Sequence, residues 1–233
     1  KQTQNEKEYL SFNFDVLLLT IGLLDGSDKS KQNAVEHRQR FELTKKVIDL
    51  CKTDLLTDMV YEFPELQGIM GKFYAEKTGD ADVAQAIEDH YLPKFVGDKL
   101  PQTMEGSIVS IADKIDNIVS TFVLGKKPSG SKDPFGIRRQ IYGIFNILEN
   151  REMDIDVFDL IKTSLSCHSA SSICHSREGG NLEELQDFFY SRLENWLVDK
   201  EIRIDVARSV MINKDKCEVL TILEKAKFIM QNI

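Results

Sequence analysis

No apolar run in this sequence reaches the roughly 18–20 residues that a membrane-spanning helix needs. The longest, Val16 to Leu24 (VLLLTIGLL), is half that and reads as core. The sequence also lacks the basic flank and small-residue cleavage site of a secretory leader, and a first residue of Lys1 makes an internal piece of a longer protein the expectation. Cysteine is scarce. Cys51, Cys167, Cys174 and Cys217 are too few in 233 residues for a disulfide framework, and Cys51 stands in an apolar helical pattern where a small hydrophobe belongs. A reducing, cytoplasmic compartment is expected. Cations are outnumbered, 30 Lys and Arg against 38 Asp and Glu for a net charge of −8. That balance excludes a protein that coats nucleic acid wholesale, because such binding neutralises phosphates, but it leaves room for a local basic face. Period-two alternation is nearly lacking, as are GxGxxG and GKS or GKT loops and any Ser-His-Asp order. Neither a sheet nor a nucleotide pocket is expected.

What is present is helical periodicity around a punctuated centre. All five prolines lie between Pro64 and Pro134, so the flanking segments can form uninterrupted helices. From Ala34 to Met59 the apolar residues Val35, Phe41, Leu43, Val47, Ile48, Cys51, Leu55 and Met59 recur at helical spacing, which predicts one long helix or two in tandem. A shorter helix is expected from Asp80, a capping residue, to the residues before Pro93. The clearest stripe is Ile108, Ile111, Ile115, Ile118 and Phe122, with Gly125 as its stop. Asp133-Pro134 reads as the N-cap and first position of a helix that turns Ile137, Ile141, Ile144, Phe145 and Leu148 inward. Asn181 is expected to cap a helix that buries Leu182, Leu185, Phe188, Phe189, Leu193, Trp196 and Leu197, and Cys217 to Ile229 forms the last one. Ile155 to Ile161 is ambiguous between strand and helix.

Two constellations can be judged from the residues alone. Cys167-His168 and Cys174-His175 supply the right donor types for zinc, but adjacent Cys-His pairs rarely both turn to one ion, and the Ser, Ala and Gly around them offer no small apolar knot. A flexible insertion over 166–180 explains the composition better. Between Leu124 and Gln140 stand Lys126, Lys127, Lys132, Arg138 and Arg139 against the single acid Asp133, a net charge of +4 on an acidic chain. A basic turn entering a helix offers phosphate both side-chain cations and free N–H groups at the positive end of the dipole, whereas the plain alternative is a solvated loop. Gly68 and Gly71, three apart in YEFPELQGIMGKFYA, leave a face that another helix or an RNA backbone could approach.

That string, within MVYEFPELQGIMGKFYA, is followed by HYLPKFVGDKLP (His90 to Pro101) and SIADKIDNIVSTFVLGKKPSGSKDPFGIRRQ (Ser110 to Gln140). In order and spacing these strings resemble the β subunit of the two-subunit bacterial glycyl-tRNA synthetases. The likeness is continuous from about Cys51 to Leu148 and weaker from Trp196 to Ile229, and the segment before Ala34 departs from the pattern. The resemblance implies a helical region related to the His-Asp (HD) phosphohydrolases, with tRNA recognition in this subunit and aminoacylation chemistry in an α subunit. It further implies that the family's anticodon-binding domain begins near or beyond Ile233. Lys52-Thr53-Asp54 stands where the HD dyad would be, His90 fits the middle His and Asp113 the final Asp. The dyad His is missing, and His37 lies too close to Asp54 to map onto the first His. Asp54, His90 and Asp113 are therefore read as degenerate positions that hold helices together.

The expected fold is all-α, a multi-helix HD-domain-like core with a C-terminal helical extension. The expected divisions are a helical lead-in over 1–33, the degenerate HD-like domain over 34–150, and the extension over 151–233. The expected function, which the resemblance implies, is tRNA recognition and scaffolding in glycine-tRNA ligase, supporting ATP-dependent attachment of glycine to its tRNA. Catalytic residues and a resident metal or cofactor are not expected in this piece, ATP and Mg belonging to the whole enzyme. The expected partners are glycine tRNA and the α subunit, with no DNA or membrane. The competing readings are an active metal-dependent HD phosphohydrolase and a plain helical interaction module.

Overall fold

The computed structural model describes residues 34–130, 132–170, 180–213 and 215–232, the side chains of 34–37, 169–170 and 180–181 apart. The expected lead-in over 1–33, with its Val16–Leu24 run, lies outside the described residues. Those described form ten α-helices and two short 3-10 turns, with no strand among them. The fold is all-α, as expected. By packing, the chain divides between Asp113 and Lys114 into two compact units.

The first unit opens with α1 (Ala34–Leu50), whose inner face carries Val47 and Ile48. The apolar spacing that runs on to Met59 does not prolong this helix. Lys52 takes a left-handed backbone, φ 64 and ψ 0, and the chain turns into a 3-10 segment (Thr53–Leu56) and then α2 (Asp58–Glu62), capped by the Thr57 hydroxyl. Leu55 and Met59, expected on the buried face, are consequently exposed. A second 3-10 turn (Pro64–Leu66) leads to α3 (Ile69–Thr78), and α4 (Ala81–Asp89) packs along it. Asp80 precedes α4 as expected, yet its carboxylate makes no cap bond to the helix; it pairs with Lys46 at 3.0 Å and accepts from Thr78 Oγ1.

The boundary between the units falls within α5 (Met104–Val123), which carries the stripe of Ile108, Ile111, Ile115, Ile118 and Phe122, all buried. Gly125, at φ 68, ends it as expected, with the Lys126 N–H returning to the Thr121 carbonyl.

The second unit continues with α6 (Ile137–Asn150), α7 (Val157–Ala170), α8 (Gly180–Asp199), α9 (Ile204–Val210) and α10 (Val219–Gln231). Its core is aromatic: Phe145 meets Phe189 and Trp196 edge to face, Phe158 meets Tyr190, and the Trp196 indole donates to Asn146 Oδ1 at 2.8 Å. The ambiguous stretch from Ile155 resolves as helix because Asp156 Oδ1 accepts from the Phe158 N–H and also from the Cys217 N–H, tying the start of α7 to the approach to α10. Three expectations are corrected. Residues 166–170 of the expected insertion are the last turn of α7, where the Ser166 hydroxyl donates to the Thr163 carbonyl at 2.7 Å. Helix α8 starts at Gly180, so Asn181 is inside it rather than its cap. Leu182 and Phe188 are half-buried, Phe188 lying under the Arg192 guanidinium.

Candidate functional site

Both sets of candidate residues can be followed atom by atom, beginning with the acids. Asp54, 1% exposed, sits in the first 3-10 turn with its Oδ2 accepting from the backbone N–H of Gly68 at 2.7 Å and of Gly71 at 3.2 Å. Gly68 needs its positive φ of 86, and a Cβ there would lie 2.6 Å from the Tyr91 ring. A Cβ on Gly71 would lie 2.9 Å from Ile87 of α4 and 3.3 Å from the Asp54 carboxylate. The close approach that the two glycines allow is thus used by a protein helix and a buried carboxylate, and an RNA backbone has no room there.

His90 is fully buried at the end of α4, its Nδ1 lying 2.5 Å from the Ile87 carbonyl, which places a proton on that nitrogen. Asp113, on α5, forms an ion pair with the ammonium of Lys52. Burial pushes the Cys51 thiol up to about 12; the Lys52 charge opposes that rise, while Asp113 and Asp54 reinforce it. Burial also raises the Tyr91 phenol, with Asp54 adding to the effect. Asp54, Asp113, Lys52, Cys51 and Tyr91 therefore share one electrostatic neighbourhood.

This set does not fit a metal. Each carboxylate already has a partner, Lys52 supplies the positive charge, and no group of three His, Cys, Asp or Glu side chains among the described residues converges as an ion would require. The side chain of His37 lies outside those described. The lysine where the dyad His would stand was the visible sequence signal, but its pairing with Asp113, 61 positions on, was not legible.

Of the cysteine-histidine constellation, Cys174 and His175 lie outside the described residues. Cys167 is half-buried near the end of α7, and His168 Nε2 is 3.0 Å from Asp116 Oδ1, an engagement the sequence did not signal.

The basic segment divides by role. Lys126 is exposed, 6.0 Å from the centre of the Phe135 ring; Lys127 is exposed and paired with Glu184; Lys132 is exposed in a tight turn closed by its backbone bonds with Ser129. Arg138 is half-buried and donates through Nη2 to the Gly130 carbonyl at 2.6 Å. Arg139 is exposed, its guanidinium lying over the bare Cα of Gly136.

Asp133 caps, but one turn ahead of the expected place. A turn over Asp133–Gly136 intervenes before α6, and the carboxylate reaches across it to accept from the N–H groups of Ile137 at 2.9 Å and Arg138 at 3.0 Å. The helix end that was expected to offer free N–H groups to phosphate is therefore occupied by a carboxylate. Lys126, Lys132 and Arg139 remain as the outward cations, while Lys127 and Arg138 are tied within the protein.

A further carboxylate escaped the sequence reading. Asp89, fully buried, accepts through Oδ2 from the Gln102 and Thr103 N–H groups and the Thr103 hydroxyl, each at 2.8 Å, and through Oδ1 from Gln85. It fixes the entry to α5.

With the geometry established, comparison with known proteins adds independent findings. A family model described as glycyl-tRNA synthetase beta subunit matches residues 23–212. A protein of Syntrophomonas wolfei named glycine-tRNA ligase beta subunit is 44% identical over 163 residues, covering 70% of this chain and 24% of that one. The protein of that name from Halalkalibacterium halodurans is 37% identical over 196 residues, covering 84% and 28%. That from Halothermothrix orenii is 37% identical over 238 residues, covering 99% and 33%. The chain thus spans about a quarter to a third of the length of these curated relatives.

Proposed function

Because the chain belongs to the family of glycyl-tRNA synthetase β subunits, we propose that it serves as a tRNA-recognition and scaffolding part of such an enzyme. It supports the ATP-dependent attachment of glycine to its tRNA and performs no chemistry itself. Amino-acid activation, with its ATP and Mg, then falls to the α subunit, and the setting is the cytoplasm. No helix among the described residues is long and apolar enough to cross a membrane.

The observation that carries the RNA-binding part is the trio of outward cations, Lys126, Lys132 and Arg139, on a segment of net charge +4 in a chain of −8. A concentrated cationic face on an acidic body directs phosphates to one place. On this reading Asp54, His90 and Asp113 are degenerate HD positions turned to structural use, which their engagement by Gly68, Gly71, Ile87 and Lys52 supports. The Lys52 ammonium, paired with Asp113, supplies the positive charge that a metal ion would bring in a phosphohydrolase.

The test is binding of glycine tRNA by the chain at several salt concentrations. Lys132→Glu with Arg139→Glu is expected to weaken binding at least tenfold and to reduce the salt slope by roughly two, one for each phosphate no longer neutralised. Thermal stability should hold, since both side chains are exposed. Equal affinity in parent and variant would show that this segment does not meet RNA.

A further inference from the structure

Phe135 stands within the cationic segment with its ring 48% exposed, in the turn over Asp133–Gly136 that leads into α6. A single exposed aromatic is commonplace. Its neighbours in space set this one apart. The Lys126 ammonium, from the chain beyond the end of α5, lies 6.0 Å from the ring centre. A Cβ on Gly136, the next residue, would lie 2.6 Å from the guanidinium of Arg139, in the first turn of α6. Two cations from different elements therefore meet the turn that carries the ring.

That turn is fastened. Asp133 accepts from the Ile137 and Arg138 N–H groups, the Gly136 N–H donates to the Asp133 carbonyl at 3.2 Å, and the Gln140 side chain donates to the Phe135 carbonyl at 3.0 Å. Gly136, at φ 64, turns the chain into α6 and is itself buried, while Phe135 stays in water. A ring on a held backbone needs little further ordering when it docks.

Chemistry decides the occupant. The acids in contact with this segment do not oppose an anion, because Asp133 turns both oxygens to backbone N–H groups and Glu184 is paired with Lys127. Lys126, Lys132 and Arg139 suit phosphate, but phosphate alone has no use for an aromatic face. An RNA duplex hides its base faces inside the stack and shows only edges and backbone. An unpaired nucleotide presents a phosphate and a bare π face together, which a ring beside cations matches. Phe135 and Leu124 are the large apolar side chains that this segment exposes, short of the contiguous apolar patch of roughly a few hundred Å² that marks a protein partner.

We propose that Phe135 is a stacking platform for one unpaired nucleotide of the bound RNA, with Lys126, Lys132 and Arg139 on the neighbouring phosphates. This rests on the reading that the chain meets tRNA, and it adds that the segment takes an unpaired stretch of the RNA instead of a helical stem.

The experiment measures binding of the 233-residue chain to an unstructured RNA oligonucleotide, to a blunt-ended RNA duplex of the same length and to glycine tRNA, each across a salt series. The parent is expected to prefer the single strand to the duplex by about tenfold or more. Phe135→Leu keeps apolar bulk and removes the π face. It is expected to weaken single-strand and tRNA binding by about fivefold or more with the salt slope unchanged, since no phosphate contact is lost. Phe135→Trp should bind at least as tightly as the parent, which separates lost stacking from damage to the turn. Lys132→Glu with Arg139→Glu should instead flatten the slope. Parental affinity of Phe135→Leu for the single strand, or equal affinity of the parent for strand and duplex, overturns the stacking proposal; the RNA reading stands where the Lys132 and Arg139 replacements still weaken binding. Weak binding by both Phe135→Leu and Phe135→Trp also overturns it, because the ring then serves only the turn. A parent that binds none of the three RNAs removes the tRNA reading together with the proposal.

Discussion

A single buried carboxylate can hold two turns of chain together. Asp54 ties a turn to the glycine pair that follows it, and its second oxygen, Oδ1, is buried with no hydrogen-bond partner. Replacing it by Ala would strand two backbone N–H groups away from water, each costing about 1–3 kcal/mol. A loss of roughly 2–4 kcal/mol in urea unfolding is therefore expected for Asp54→Ala, and Asp54→Asn, which keeps an acceptor oxygen, should lose less. Equal stability of parent and Asp54→Ala would show that the two N–H groups find other partners. The sequence made the type and place of this residue visible, since Lys52-Thr53-Asp54 could be set against the expected HD dyad. It could not show the acceptor role, which depends on Gly68 and Gly71 coming close enough to donate. The same holds for Lys52: a charged residue forced into a left-handed turn has no pattern in the sequence, because its reason lies across the fold at Asp113.

At the scale of elements, long stripes were legible and ends were not. The stripe of α5 reads directly from the spacing of its Ile residues, although burial spreads round most of the helix from Gly106 to Phe122. The boundary at Lys52 was hidden because apolar residues continue at helical spacing beyond it; those residues serve a surface instead of a core. The Asp133 cap was recognised as chemistry and misplaced by a turn, since a carboxylate can reach across a short loop as well as cap its own helix. The start of α5 depends on a packing relation the sequence does not display. A Cβ on Gly106 would collide with the Asp89 side chain and lie 2.6 Å from Thr103 Oγ1. Overpacking of this kind costs about 1–3 kcal/mol, so Gly106→Ala is expected to lower the melting temperature by several degrees; an unchanged melt would mean that Asp89 can move aside.

Helix α4 carries its own pH dependence. Burial raises the Glu88 carboxyl, but hydrogen bonding and charge from Lys72, with the charge of Lys99, outweigh it and hold the group below its ordinary 4.5. A depressed carboxyl stabilises the fold at pH values above its unfolded value, and the contribution fades as pH falls through the folded one. Glu88→Gln should then cost a modest amount at pH 7, under about 1 kcal/mol because the lysines are partly exposed. The difference from the parent should fade as the pH falls below the ordinary 4.5 and vanish in acid. A difference that persists in acid would assign the effect to packing instead of charge.

Over the whole molecule, charge of the two signs is sorted into different surfaces. The Leu124–Gln140 segment is positive in a chain that is otherwise strongly acidic, and the charged residues within Leu55–Ile69 are all acids, although the Lys94 ammonium donates to the Gln67 carbonyl there. Family membership was legible at this scale because it rests on several long strings in fixed order. The two surfaces were only half legible, since charge can be counted along a sequence whereas exposure of Leu56 or Tyr61 requires the fold. If the chain binds tRNA as proposed, the sorting has a measurable consequence. A net charge of −8 repels tRNA at long range, and at about 0.01 M salt the screening length of roughly 30 Å lets most of that repulsion act. At about 0.15 M it falls to roughly 8 Å, and the local cations dominate. Counterion release alone would give a straight line of log affinity against log salt. Here the line is expected to be steep between roughly 0.1 and 0.3 M and to flatten toward 0.01 M as repulsion from the acidic body opposes the gain. Replacing exposed acids outside this segment, such as Glu201 and Glu224, by Gln should raise affinity at low salt and leave it unchanged at high salt. A straight line through the whole range, unaffected by those replacements, would mean that the RNA meets only the local field of Lys126, Lys132 and Arg139.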